Sequence, residues 1–478
     1  MRTARADIAV APVASDRTEI IERAIFWTFA AGLAWTPFWY GSNDLIAWGI
    51  NAIVFPGLAL AYEVSLLIRG RRHPIGIRQL QIAVALFAAV VFWTWFQTAT
   101  WAPSALAHPI WGMASASLEK PVAASISVNR DLTTLALVRL ITAASAFWLA
   151  AQLCRKAARA DLLIKAIVAI CCAYSAHGLI AFAIKSGHMP WLERPSTTAF
   201  VSSTFVNQNS FAAYAGIGLI AICGILLRLY RHHAAVIAGP RRLWIVSLIE
   251  TTGSYGVTLL AGGFLILVAL LLTGSRGGVI ATALGLFVLG LLTLARGTRR
   301  SAGQLVVIVC GAVLVATICV GFGDALVANM AKKGLGDTSR MAVYLITLWS
   351  ILDAPVLGHG YGTFIDVFPI YRDHSIGSIG VWEQAHNTYL EIFQGLGLVF
   401  GSMLLGSILL LVLSCLRGAL TRQENSMIPC VAASVAVAVG FQAMVDFALQ
   451  IQAVALAFMA VLGAGVAQSA SSRRTLED

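Results

Sequence analysis

At 478 residues, with 59% hydrophobic and only 12% charged side chains and a mean hydropathy of +0.81, the chain has about half the charge that a water-exposed globular surface needs. That excludes an ordinary soluble fold. The formal net charge of +11 does not point to nucleic acid, because the basic residues fall in short turns between apolar runs, where membrane insertion puts them.

Residues 1–24 are polar and charge-balanced, with no cleavage site ahead of the first apolar run. They are expected to form a cytoplasmic N-terminal segment before a retained anchor. Apolar runs able to cross the hydrocarbon core follow at 25–41, 44–68, 78–97, 132–153, 162–184 and 208–229. Three more lie at 253–273, 278–295 and 305–322, with 243–252 leading into its span as an interfacial segment. A polar stretch, 323–395, precedes the runs 396–416, 427–446 and 449–468 and the tail 469–478. None of the short alternating segments of a β-barrel occurs. The expected fold class is an all-α integral membrane protein of about 12 transmembrane helices, organised as 25–322, 323–395 and 396–468.

The turns after even-numbered runs hold the basic clusters Arg69, Arg71 and Arg72, then Arg155, Lys156 and Arg159, then Arg228, Arg231, Arg241 and Arg242. Arg296, Arg299 and Arg300, then Arg417 and Arg422, then Arg473 and Arg474 continue the alternation. The positive-inside rule makes that face cytoplasmic and places both termini there. Segments 98–131, 185–207 and 323–395 then face the other side, and the last, the largest, is expected to form an ordered cap with an interfacial helix. The eight cysteines lie in or beside apolar runs, so neither a disulfide framework nor a zinc site is expected.

Three external residues have chemistry to offer. Arg276 stands in Gly274-Ser275-Arg276-Gly277-Gly278, a break between two apolar runs. Its guanidinium suits a phosphate or diphosphate, the alternative being a helix-end anchor. Arg340 opens a run of about 14 residues, from Arg340 to Leu352, that Thr338 or Ser339 could cap. A cation at a helix N-terminus is frustrated unless an anion joins it, the alternative being a solvated arginine. His386, in Glu383-Gln384-Ala385-His386-Asn387-Thr388-Tyr389-Leu390-Glu391, suits a general base, and Glu383 could orient it if the segment is helical. The alternative is an interfacial histidine satisfied by water. The loop Gly358-His359-Gly360-Tyr361-Gly362 could line a head-group site or be a simple turn. Arg139, inside the fourth run, must pair or line a cleft.

These pieces resemble the O-antigen ligase and polymerase family of bacterial envelope glycosyltransferases. The resemblance extends from about Ser203 to Phe400. Its carriers are Thr204-Phe205-Val206-Asn207-Gln208-Asn209, the Arg276 break, the Arg340 helix running into Asp353-Ala354-Pro355-Val356-Leu357-Gly358, and the His386 motif with Gly397 eleven residues on. It implies a fold like that of GT-C-type polyprenyl-linked glycosyltransferases, in the bacterial inner membrane, with a periplasmic active site. It implies transfer of a glycan from undecaprenyl diphosphate to a sugar hydroxyl, on lipid A–core for a ligase or on another repeat unit for a polymerase. Arg276 and Arg340 would hold the diphosphate and His386 would activate the acceptor, without metal or other cofactor. Arg139, Arg194, Asn207, Asn209, Gly358, Gly360, Tyr361, Glu383, Asn387 and Tyr389 are the candidate substrate-binding residues, while His359, His374, Lys332 and Lys333 have no fixed role. The external loops offer no carboxylate pair of the glycosidase kind. A polytopic transporter or flippase is the rival class, but it would gather its ionisable groups at mid-membrane.

Overall fold

A computed structural model describes residues 14–184, 188–189, 192–195, 200–234, 241–295, 334–376, 380–422 and 426–470. The helices are α1 (Ala14–Trp35), α2 (Leu45–Ile68), α3 (Gln81–Gln97), α4 (Ile110–Ser117), α5 (Arg130–Leu153), α6 (Ala157–Ala183), α7 (Gln208–Ala234) and α8 (Arg241–Leu272). They continue with α9 (Arg276–Leu294), α10 (Gly334–Asp353), α11 (Phe364–Tyr371), α12 (Thr388–Thr421), α13 (Met427–Val445) and α14 (Gln452–Ser469). Among the described residues, nine helices are long and apolar enough to cross a membrane, and α3 is a shorter apolar one. Every predicted span overlaps a helix except 305–322, which lies outside the described residues.

Local chemistry sets several boundaries. Asp44 begins α2 by accepting the amide of Ile46, and Asn129 begins α5 by accepting those of Asp131 and Leu132. Gly253, at φ 43° and ψ −165°, bends α8 at the point where the sequence separates a lead-in from its span. Within the 185–207 segment, His188–Met189 (β1) pairs antiparallel with Leu192–Pro195 (β2). One expectation needs correction. The Arg340 helix starts at Gly334, six residues earlier than the capping signal suggested, because Thr338 and Ser339 lie within the helix instead of beginning it. Arg340 is therefore in its second turn, and its charge does not sit on the positive end of the helix dipole.

Burial orders the layers. In their apolar windows α7 is 89% buried and α14 83% buried, against 22% for α2. A helix that is apolar all round and covered on all sides is a bundle centre. α14 lies along α5 within a ring of α6, α7, α12 and α13, whereas α3 packs outside on α12 and α5. The central contacts are close: a Cβ on Gly463 would meet the Phe147 carbonyl oxygen at 2.5 Å, and one on Gly465 the Ala432 Cβ at 2.3 Å. In lipid, close approach at small residues supplies the packing that hydrophobic exclusion supplies in water.

The cap is fastened through backbone. The His359 amide donates to the Gln394 carbonyl at 2.9 Å, the Gly360 amide to that of Gly395 at 3.1 Å, and the Val128 amide to that of His359 at 2.9 Å. A histidine pair joins the same segments. His359 Nε2 donates to the Ser350 carbonyl at 2.8 Å, which leaves Nδ1 to accept from His108 Nε2 at 3.1 Å. His108 Nδ1 then accepts the Ile110 amide at 3.2 Å. Both rings must be neutral for this chain to hold. Burial, helped by His359, pushes His108 down to about 4, and burial also lowers His359.

Gly463→Leu should cost about 1–3 kcal/mol through overpacking, seen as a lower thermal midpoint in detergent and less folded protein. Since His108 takes up its proton more readily unfolded than folded, stability should be full above about pH 6.5 and fall toward pH 4. The loss should be on the order of 2 kcal/mol after allowance for solvent screening. Thermal midpoints across that range should flatten in His108→Gln.

Candidate functional site

The break before α9 is a tight turn. Gly274 takes φ +63°, and Ser275 caps the helix by accepting the Gly278 amide at 3.2 Å. A Cβ on Gly277 would lie 3.1 Å from Val445 Cγ2, so the Arg276 end of α9 abuts the C-terminal end of α13. The next residue there, Asp446, contacts the candidate base His386. Its Oδ1 lies 3.3 Å from His386 Nδ1, and its carboxylate is 2% exposed. The imidazole packs between the rings of Trp382 and Phe447, with centroids at 5.9 and 5.0 Å. With Nδ1–H directed to Asp446, Nε2 is the nitrogen left to take a proton.

Arg340 lies one turn before Tyr344 on α10. The Tyr344 hydroxyl donates to the His386 carbonyl at 2.9 Å. Burial raises the pKa of that hydroxyl, Arg340 opposes the rise and Asp446 adds to it, so both charges lie within its electrostatic reach. Arg276 and Arg340 are half-buried, and no carboxylate among the described residues pairs with either. His386 itself has φ +53°, a left-handed conformation that costs a residue other than glycine on the order of 1 kcal/mol or more.

Beside this cluster a cavity of about 360 Å³ opens between α3, α5, α12 and α14. Its polar end holds Arg139, Tyr361, Gln384, Glu391 and Gln450; from there it runs between apolar walls to Leu80 and Trp148. Arg139 to Trp148 corresponds to about 14 Å of helix. Arg139 therefore lines a cleft: it donates to the Gln450 carbonyl and lies 4.4 Å from the centroid of the Trp48 ring. Glu391 accepts the Ala385 amide at 2.6 Å and the Gln450 side chain.

The remaining candidates divide. Tyr361 and Glu383 line the cavity, but Glu383 does not orient His386, because residues 381–387 are not helical and Asp446 takes that place. Asn387 caps α12, its Oδ1 accepting the amides of Tyr389 and Leu390 at 3.0 and 3.1 Å. Asn207 likewise accepts the Asn209 amide at 2.7 Å at the start of α7, with Asn209 half-buried in the first turn. The Tyr389 hydroxyl is spent on the Gly440 carbonyl at 2.9 Å. Gly358 and Gly360 serve close packing: a Cβ would meet the Gly395 carbonyl oxygen or the Ser127 hydroxyl, each at 2.3 Å. Gly358, His359 and Gly360 are buried between backbones, with His359 1% exposed, while Tyr361 and Gly362 line the cavity. His374 lies in the exposed turn after α11. Arg194 is on β2 with its side chain outside the described residues, as are Lys332 and Lys333.

Asp446 was missed by sequence reasoning. Its signal is that it is the one acid between Glu424 and Glu477, at the end of an apolar span, where an ionisable group needs a reason to be.

If Asn387 acts as a cap, Asn387→Ala should lose about 1 kcal/mol of stability and Asn387→Asp only a fraction of that. Thermal melts of the two variants check it.

No curated protein matches the chain. Residues 261–406 match the family model described as O-antigen ligase. That stretch contains Arg276, Arg340 and His386, whereas Arg139 and Asp446 lie outside it. Over residues 261–406 this multi-pass, helical membrane chain is thus similar to the O-antigen ligase family.

Proposed function

We propose that the protein moves a glycan from undecaprenyl diphosphate to a sugar hydroxyl of lipid A–core or a similar acceptor, at the periplasmic face of the bacterial inner membrane. The observation that carries the reading is the His386–Asp446 pair, with Arg340 one turn before the Tyr344 that bonds His386 and Arg276 on the helix end that abuts Val445, beside a cavity with a polar end and apolar walls. The polyprenyl chain lies along the apolar walls, with Arg139 at the polar end. The diphosphate is held by Arg276 and Arg340, which have no competing carboxylate among the described residues.

His386 Nε2 removes the proton of the acceptor hydroxyl as its oxygen attacks the anomeric carbon. The bond from that carbon to the diphosphate oxygen breaks, and the electron pair leaves with undecaprenyl diphosphate. Negative charge grows on the leaving group, and the two preorganised guanidiniums stabilise it most in the transition state. This electrostatic role is the one a metal ion fills elsewhere. Asp446 holds the imidazole in the reactive tautomer and stabilises the imidazolium that forms. A diphosphate leaves readily, so a single base suffices where glycosidases need two carboxylates.

Purified protein supplied with undecaprenyl-diphosphate-linked glycan and lipid A–core should consume the donor and form a new glycosidic bond. Product lengthened by repeat units in place of capped core identifies a polymerase, and intact donor moved across vesicles identifies a flippase; either outcome overturns the ligase reading. Arg276→Ala and His386→Ala should abolish transfer at unchanged protein levels, and Asp446→Asn should slow it by about 100-fold or more. Near-wild-type turnover in any of the three removes that residue from the mechanism.

A further inference from the structure

A histidine in the left-handed region persists only where its surroundings over-determine it. Two groups with no part in holding diphosphate or taking the proton supply that constraint. The Tyr344 hydroxyl donates to the carbonyl of His386 at 2.9 Å, on the C-terminal side of its Cα. On the N-terminal side, Glu391 Oε1 accepts the Ala385 amide at 2.6 Å. Glu391 reaches back across the Asn387 cap to do this, as an acid in the first turn of a helix can. Its other oxygen is held by the Gln450 side chain, while the backbone carbonyl of Gln450 takes the Arg139 guanidinium. The carboxylate is thereby fixed between the cavity wall and the turn.

We infer that Tyr344 and Glu391 are positioning residues for His386: their two hydrogen bonds flank its Cα and lock the left-handed turn that directs the imidazole to Asp446. This rests on the glycosyl-transfer reading above. Without the bonds the turn relaxes toward an ordinary backbone region, the Cα–Cβ bond swings, and Nε2 leaves its place beside the acceptor. A displacement of about 1 Å at a reacting group is enough to cost two orders of magnitude in rate.

The test uses the full-length protein in detergent or nanodiscs, with three substitutions of matched shape. Tyr344→Phe removes one donor, Glu391→Met removes the acceptor, and Glu391→Gln keeps an oxygen for the Ala385 amide. Expected are a fall in kcat of about tenfold for Tyr344→Phe and about 100-fold for Glu391→Met, with KM within about twofold. Glu391→Gln should stay within about threefold of wild type. Amide hydrogen exchange across 384–387 should quicken in the first two and not in the third. Wild-type kcat in both Tyr344→Phe and Glu391→Met, a change confined to KM, or unchanged exchange overturns the inference. A Gln variant as damaged as the Met variant overturns the acceptor role of Glu391. If the wild-type protein transfers no glycan, the functional reading fails, yet the exchange measurement still decides whether the two residues hold the turn.

Discussion

Two backbones must touch at Gly397 for the rest of the site to exist. A Cβ there would lie 2.3 Å from the Val356 carbonyl oxygen, while the Leu398 amide donates to the Pro355 carbonyl at 2.7 Å. Only a residue without a side chain admits that approach, and at φ +75° only glycine adopts the backbone without strain. The contact breaks α12 into a short segment and a long one and pins the short segment under the cap. Asn387 caps that segment, Glu391 projects from its first turn, and His386 precedes it. The interval between His386 and Gly397 is thus the length of helix needed to carry the imidazole from the pinning point to Asp446.

Charge is handled in two ways around this frame. Where the chain needs rigidity it uses neutral polar groups: the paired imidazoles of His108 and His359, and the side chain of Gln97 bonded to the carbonyls of Leu357 and Gly395. At Arg276 and Arg340 it instead leaves cations with no carboxylate partner among the described residues. An uncompensated guanidinium at the edge of a bundle is costly, and the cost is offset only when an anion arrives. Arg139 is an intermediate case, partly satisfied by a carbonyl and an aromatic face, with donors left for the cavity.

The helices were legible because lipid imposes a length and polarity rule that a single sequence cannot hide: apolar runs, basic turns and the bend at Gly253 could all be read. Arg276, Arg340 and His386 could be read as an external set, since each interrupts or borders an apolar run. The partners were not. Asp446 is 60 residues beyond His386 and meets it only because α13 returns alongside α12. Glu383 was the nearer candidate in sequence, but the turn that holds His386 is not helical, so helical spacing had no force there. The glycine loop could line a site or be a turn, and it does some of each: Gly358 and Gly360 press on α12 and Ser127, whereas Tyr361 and Gly362 line the cavity. Single-sequence spacing does not reveal which of two backbones a glycine is making room for.

The interruption in α12 also has a mechanical meaning. A continuous helix transmits rotation and tilt along its ladder of amide bonds, so thinning or bending of the surrounding bilayer would turn anything attached to its end. At Gly397 that ladder is severed, and the short segment from Thr388 to Leu396 takes its orientation from the cap and from α13 instead. A tilt of the long segment is therefore not passed through that ladder to the turn that carries His386.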